Sequence, residues 1–190
     1  MSHLTDFDRA GKLTASQCAA ALGLCKYTSR AKLWRQITGR EPKFEGNAYT
    51  DYGIANEANA LSTFEAKMGV LLDKGRFVSH PTLSWLGASP DGFVDGVIPI
   101  DTKCPQTLHA KCPEHYRIQL TVQMACCNTD YAWFASWTPE AMMIEKVEFD
   151  KDWWDSYLLP GLDLFWNKYV AQDIEPGRGK FNIEKEMKNG

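Results

Sequence analysis

Two acidic residues and one lysine lie close together in the sequence, in a pattern suited to metal-assisted catalysis. Asp91 belongs to a Ser-Pro-Asp-Gly sequence, and Asp101 and Lys103 follow at the end of the apolar stretch VIPIDTK. A hairpin with an Asp-Gly turn between them would bring the two carboxylates together. Because alternate residues of a strand face the same side, we expect Asp101 and Lys103 to project together and Thr102 to point away.

Two neighbouring carboxylates repel each other unless a cation lies between them, and oxygen ligands favour Mg²⁺ or Mn²⁺ over zinc. Such an ion polarises a phosphodiester oxygen and lowers the pKa of a bound water, while Lys103 can steady the attacking water and the charge on phosphorus. The group therefore predicts hydrolysis of phosphodiesters.

Each part of this pattern also has a purely structural interpretation. Pro-Asp-Gly is a common turn sequence, and Asp-x-Lys at the end of a strand is often a solvated ion pair. The combination with a hairpin of about ten residues and a Cys-Pro step directly after Lys103 favours a nuclease site.

Hydrophobic spacing, capping residues and turn sequences predict the elements that position these residues. Helices are predicted in QCAAALGL, AKLWRQITG, the segment from about Thr50 to Lys67, EHYRIQLTVQMACC, and the segment from Lys151 to Val170. Strands are predicted in VLLD, RFVSH, WLGAS, GFVDG, VIPIDTK, YAWFASW and MIEKVEF. This order predicts an α/β (α+β) fold with a central mixed β-sheet flanked by helices.

The length and composition fit one compact domain. With 190 residues and 44% hydrophobic content, we expect a single domain over residues 1–190, whose tail at 175–190 is mobile or a contact arm. No stretch is apolar enough for a membrane span, and we expect a soluble, cytoplasmic protein. The net charge of −3 argues against a wholly basic surface but permits a local basic channel for DNA.

The six cysteines are scattered through the chain. In a chain with ample core material we expect reduced thiols and no disulfide framework. Their spacing does not match that of a zinc knuckle.

Four sequence segments, in this order and spacing, resemble the PD-(D/E)xK nucleases, and within them the phage lambda exonuclease and YqaJ-type viral recombinase group. The segments are RAGKLTAS, YGIANEANALSTFE, SPDG with IDTKCP, and HYRIQLTVQM. The resemblance implies a restriction-endonuclease-like core in which Asp91 and Asp101 hold the metal, the main-chain carbonyl of Thr102 assists, and Lys103 serves catalysis.

The same resemblance singles out two further residues around the metal. Glu57 matches a helix glutamate that reaches the metal centre, and Gln119 matches a glutamine that lines the active site. Without the resemblance, Glu57 would be interpreted as a solvent-facing carboxylate and Gln119 as an ordinary polar helix residue.

Arg9, Ser16 and Ser89 match a pocket for the 5′-phosphate of the substrate. A guanidinium with hydroxyl groups suits a terminal phosphate, and Ser16 lies near a predicted helix start. A surface arginine and a helix cap explain Arg9 and Ser16 almost as well.

Two positions depart from the group. Glutamate is usual where this chain has Asp101, so the carboxylate is one methylene shorter, and Thr121 stands where relatives often have a second glutamine. The superfamily accepts either acid, so activity should survive, with altered metal distances or preference.

The resemblance implies an Mg²⁺-dependent (or Mn²⁺-dependent) 5′-to-3′ exonuclease acting on double-stranded DNA ends. It further implies a ring-shaped homotrimer and a single-strand annealing protein as partner. Since the sequence has no Walker-type phosphate loop, we expect ATP independence. The alternatives are a PD-(D/E)xK endonuclease, a Cas4-like nuclease with an iron-sulfur cluster, and a non-catalytic module that binds DNA ends.

Overall fold

The structure is a computed structural model that describes residues 11–42, 45–177, 182 and 186. Its first four helices lie where the sequence predicts them: α1 (Ala15–Ala21), α2 (Arg30–Ile37), α3 (Ala48–Met68) and α4 (Glu114–Cys127). Ser29 caps α2 by accepting from the Lys32 N–H, and the left-handed residue Gly69 ends α3.

The strands form two mixed sheets, which together with the flanking helices confirm the predicted fold class. The larger sheet has the order β2-β5-β6-β7-β8, with β6 and β7 parallel and the other neighbours antiparallel. Its strands are β2 (Leu72–Lys74), β5 (Gly92–Val94), β6 (Ile98–Lys103), β7 (Tyr131–Trp137) and β8 (Met142–Glu148). All five lie within or close to the predicted segments.

The smaller sheet contains a strand that the sequence does not predict. It has the order β1-β4-β3, with β1 (Leu13–Thr14), β3 (Val78–Ser79) and β4 (Leu86–Ala88). β1 pairs in parallel with β4. A two-residue strand has no detectable alternation, and β1 exists only because the distant β4 supplies its partner.

Helix α4 lies between two layers of the core. Ile118 and Val122 contact the group of buried residues that includes α1 and the C-terminal helical segment, while Leu120 and Met124 pack against Phe134 of the larger sheet. Because α4 is buried on both sides, its polar side chains cannot all reach solvent. This packing directs two of its glutamines towards β6.

The C-terminal segment at 151–170 is helical, as predicted, but it is not a regular α-helix. Two α-helical pieces (Lys151–Trp153 and Leu159–Leu164) alternate with two π-helical pieces (Trp154–Leu158 and Phe165–Val170). Pro160 lacks the N–H that a regular helix would use, and the π-helical piece before it accommodates this loss.

Within the part of the chain that the structure describes, no helix has the length and apolar character needed to cross a membrane. Parts of the tail contact the body of the protein. Glu175 forms an ion pair with Arg35, and Glu186 accepts hydrogen bonds from Arg30 and Tyr169.

Candidate active site

The hairpin expected between Asp91 and Asp101 is present. β5 and β6 pair antiparallel, with Gly92 opposite Ile100, and the Asp91 N–H donates to the Ile100 carbonyl at 3.0 Å. The turn uses Asp95 and Gly96 at φ of 52° and 72°, the positive values that a tight hairpin turn requires. The hairpin holds Asp91 beside the strand that carries Asp101.

Asp91 is held by two hydrogen bonds from Thr102, the residue after Asp101. Its Oδ2 accepts from the Thr102 N–H at 2.6 Å and from Thr102 Oγ1 at 2.9 Å. Burial, followed by the charge of Asp101 and a smaller contribution from Glu57, raises the pKa of Asp91 to about 7, against the lowering effects of Lys103 and Thr102. Near neutral pH, either a proton or an added cation would therefore stabilise this carboxyl group in its buried position.

Asp101 is almost fully buried, with 1% of its surface exposed. Its Oδ1 accepts from the side-chain amides of Gln119 at 2.6 Å and Gln123 at 2.9 Å. Its Oδ2 forms an ion pair with Lys103 Nζ. Asp101 and Lys103 thus project to the same side of β6, as the alternation of a strand predicts.

Lys103 is ion-paired with Asp101 and also feels the charge of Asp91. Burial lowers its pKa, but Asp101 and Asp91 more than compensate, so the net pKa of Lys103 is raised. The ammonium also lies 5.0 Å from the centre of the Tyr116 ring, within the range of a cation-π contact. Lys103 is therefore a permanent cation near neutral pH, suited to stabilising negative charge and unsuited to acting as a base.

Glu57 lies on an exposed part of α3 and, like Asp91, lines a cavity of about 650 Å³. Ser89, Lys74 and Arg76 also line this cavity. The charge of Glu57 contributes to raising the pKa of Asp91. The structure thus brings Glu57 to the same cleft as Asp91, and its influence there is electrostatic.

The carboxylates suit a hard divalent cation, although a preformed cage is absent. Nowhere in the described ranges do three or more His, Cys, Asp or Glu residues form a group that could hold a metal ion. Yet Asp101 Oδ2 is buried, and among the described residues its partner is the ammonium of Lys103 alone. A buried acceptor oxygen beside a second carboxylate of raised pKa fits an ion such as Mg²⁺.

The structure brings the two serines of the expected phosphate pocket to the same edge. In the parallel pairing of β1 with β4, Thr14 lies opposite Gly87, and Ser16 and Ser89 each follow two residues later. Ser16 is exposed, and Ser89 lines the cavity beside Asp91. Arg9 lies outside the described residues.

Sequence reasoning missed Gln123. It lies one helical turn after Gln119 and contacts the same oxygen of Asp101. The available signal was a second glutamine at i, i+4 in the apolar stretch LTVQM, which places both amides on one face of the helix.

The sequence over residues 7–132 matches the family model described as the YqaJ-like viral recombinase domain. This match includes the hairpin, Lys103 and both glutamines. Among curated proteins, none matches the chain.

Solved structures resemble the chain over most of its length. An alkaline exonuclease from Laribacter hongkongensis, LHK-Exo, is 26% identical, with 92% of this chain and 95% of that chain covered and a TM-score of 0.77. Its complex with dAMP gives 25% identity, the same coverage and the same TM-score. A phage-related exonuclease from Haemophilus somnus 129PT, at 15% identity, covers 85% of this chain and 96% of that chain with a TM-score of 0.64, a likeness of fold.

Proposed function

Because this chain belongs to the YqaJ-like viral recombinase family and is a nuclease of the exonuclease type, we propose that it degrades linear double-stranded DNA from its ends. The proposed reaction is Mg²⁺-dependent, ATP-independent and 5′-to-3′, and it leaves 3′ single-stranded DNA for recombination by strand annealing. The observation that carries the proposal is the convergence of Asp91, Asp101 and Lys103 on the β5-β6 hairpin.

In this proposal Asp91 and Asp101 hold Mg²⁺, or Mn²⁺, with help from the Thr102 main-chain carbonyl and from Glu57. When bound, such an ion supplies Lewis-acid polarisation of the phosphodiester and a water of lowered pKa. The ammonium of Lys103 orients the attacking water and stabilises the charge that develops on phosphorus. Gln119 orients Asp101 through its amide at 2.6 Å.

Two observations support action at DNA ends. Ser89 lines the cleft beside Asp91, and Ser16 follows the strand that pairs with β4, so with Arg9 these serines would bind a terminal 5′-phosphate. The similar LHK-Exo structure with dAMP is consistent with release of mononucleotides.

The wider assembly is part of the same proposal. We assign a homotrimeric ring around DNA, a single-strand annealing protein as partner and the cytoplasm of a bacterial host as the location. ATP independence is supported by the lack of a Walker-type phosphate loop in the sequence.

One digestion experiment tests reaction, polarity and substrate together. Purified full-length protein is incubated with Mg²⁺ and a linear duplex labelled separately at each end of each strand, alongside closed circular DNA and an EDTA control. We expect loss of the 5′ labels first, intact circles and no reaction in EDTA.

Cleavage of the circles would favour the endonuclease alternative, and early loss of the 3′ labels would reverse the polarity. Unchanged linear DNA under Mg²⁺ and Mn²⁺ would leave a non-catalytic DNA-end binding module.

A further inference from the structure

Helix α4 presents two glutamines, one turn apart, to a single oxygen of Asp101. Gln119 donates to Oδ1 at 2.6 Å and Gln123 donates to the same atom at 2.9 Å. The i, i+4 spacing aligns both amides on one face of the helix. Gln119 already belongs to the proposed site, whereas Gln123 has no role in it so far.

Gln123 is fully buried, and a glutamine at this position does not improve the stability of the fold. Because a carboxylate only accepts hydrogen bonds, the amide NH₂ must face Asp101. The side-chain carbonyl Oε1 is then left buried without a hydrogen-bond partner in the described part of the chain. An unpartnered buried carbonyl destabilises the folded state, and an apolar residue of similar size would avoid this cost.

The two amides determine which oxygen of Asp101 is available. Both occupy Oδ1, so Oδ2 is the atom that faces the Lys103 ammonium and accepts no bond from either amide. Because the two amides hold Oδ1 and Lys103 holds Oδ2, rotation of the Asp101 carboxyl group about the Cβ–Cγ bond is restricted. An aspartate side chain has only two rotatable bonds, so fixing the plane of its carboxyl group also fixes the direction of Oδ2.

We propose that Gln123 is a positioning residue of the metal centre, which with Gln119 holds Asp101 so that Oδ2 points at the divalent cation. The inference rests on the proposed metal-dependent function. The inference assigns Gln123 to the active centre, although its side chain is buried and does not line the cleft cavity.

The test is Gln123→Met in the full chain, a variant of similar size that cannot donate to Asp101. Mn²⁺ binding is measured by isothermal titration calorimetry and electron paramagnetic resonance, without DNA. We expect affinity about 10- to 100-fold weaker than in the unmodified protein, as is typical when a partner of a metal ligand is lost. DNA digestion should need correspondingly more Mg²⁺, with the KM for DNA unchanged.

Met124→Leu is the matched control, since Met124 is equally buried on the next position of α4 and packs only into the apolar cluster with Leu120 and Phe134. It should bind Mn²⁺ as the unmodified protein does. Unchanged Mn²⁺ affinity in a folded Gln123→Met would overturn the inference.

If Gln123→Met does not fold, Gln123→Leu replaces it, because it removes the donor and adds no charge. Unchanged Mn²⁺ affinity there, or loss of the fold in both variants, would assign Gln123 a purely structural role and overturn the inference. Mn²⁺ binding without DNA digestion would reject the proposed function. The difference in Mn²⁺ affinity between the Gln123 variant and the unmodified protein would still decide the role of Gln123. No Mn²⁺ binding by the unmodified protein would reject both.

Discussion

Lys103 contributes to the stability of the folded protein and has a role in the proposed chemistry. Its ammonium is in ion-pair contact with Asp101, which is 1% exposed, and the charges of both aspartates raise its pKa. A buried carboxylate that loses such a partner becomes an uncompensated charge. Removing Lys103 should therefore affect activity and stability for different physical reasons.

The expected result for Lys103→Met is a kcat lower by about 100- to 1,000-fold, because charge stabilisation at phosphorus is lost. The metal-free variant should also lose about 3 kcal/mol of unfolding free energy. Nuclease assays and urea denaturation measure the two effects.

Lys146→Met is the control, since Lys146 pairs with Glu148 at 3.7 Å and both side chains are exposed. It should cost less than about 1 kcal/mol. Equal effects of the two substitutions on kcat would contradict the role of Lys103.

Asp91 predicts a pH dependence of stability in the metal-free protein. Its pKa is raised from 3.8 to about 7, mainly by burial and by Asp101, so the folded state binds the proton more tightly than the unfolded state. The resulting stabilisation is complete below the unfolded pKa and is lost as the pH rises through about 7.

The measurement is urea denaturation in EDTA from pH 4 to pH 8, for the unmodified protein and Asp91→Asn. The free energy of unfolding of the unmodified protein should fall relative to that of the variant by roughly 3–4 kcal/mol as the pH rises. Added Mg²⁺ should recover stability most at high pH, where Asp91 is ionised. A pH-independent difference would contradict the raised pKa.

At the scale of elements, the site depends on how closely the β2-β3 connection approaches the turn that carries Asp91. A Cβ added at Gly75 would lie 2.5 Å from the Pro90 carbonyl oxygen and 2.6 Å from that of Asp91. Both are rigid backbone atoms, so one of the two segments must shift. Gly75 therefore fixes the distance between the edge strand and the catalytic hairpin.

We expect Gly75→Ala to lower the unfolding free energy by about 1–3 kcal/mol through overpacking and to lower kcat, since Asp91 must move. Gly177→Ala is the control because, among the described residues other than its neighbours in the chain, no atom lies within 4 Å of its added Cβ. Thermal unfolding and digestion rates test both variants. Full activity in Gly75→Ala would show that the close approach does not position Asp91.

At the scale of the whole molecule, distant parts of the chain meet at one edge of the small sheet. The pairing of β1 with β4 brings Ser16, close to the N-terminus, to the same edge as Ser89, which leads into the Asp91 turn. A substrate end bound there would lie next to the metal centre. In this arrangement, binding of the DNA end would place the adjacent phosphodiester at the proposed metal site.

The matching prediction compares duplexes with 5′-phosphate and 5′-hydroxyl ends. The unmodified protein should digest phosphorylated ends faster, whereas Arg9→Ala with Ser89→Ala should digest both at the same, lower rate, because charge-assisted bonds to the phosphate are lost. Initial rates at subsaturating DNA measure the difference. Equal rates in the unmodified protein would contradict a phosphate pocket formed by Arg9, Ser16 and Ser89.

The sequence by itself determined the local parts of this protein. Helical spacing, the Asp95-Gly96 turn and the alternation of Asp101 with Lys103 are properties of neighbouring residues, and the structure has each of them. The sequence left the cap of α2 open between Thr28 and Ser29, and the structure has Ser29. The fold class followed from their order. The family resemblance added Glu57 and Gln119, which no local pattern identified.

Only the tertiary structure decided the contacts between elements. The strand β1 requires β4 as a partner, the role of Gln123 requires α4 to pack against β6, and the closeness of Gly75 to Asp91 requires the edge strand in place. These contacts join residues 16 to 73 positions apart. Their energies depend on packing geometry, which periodicity in one segment does not encode.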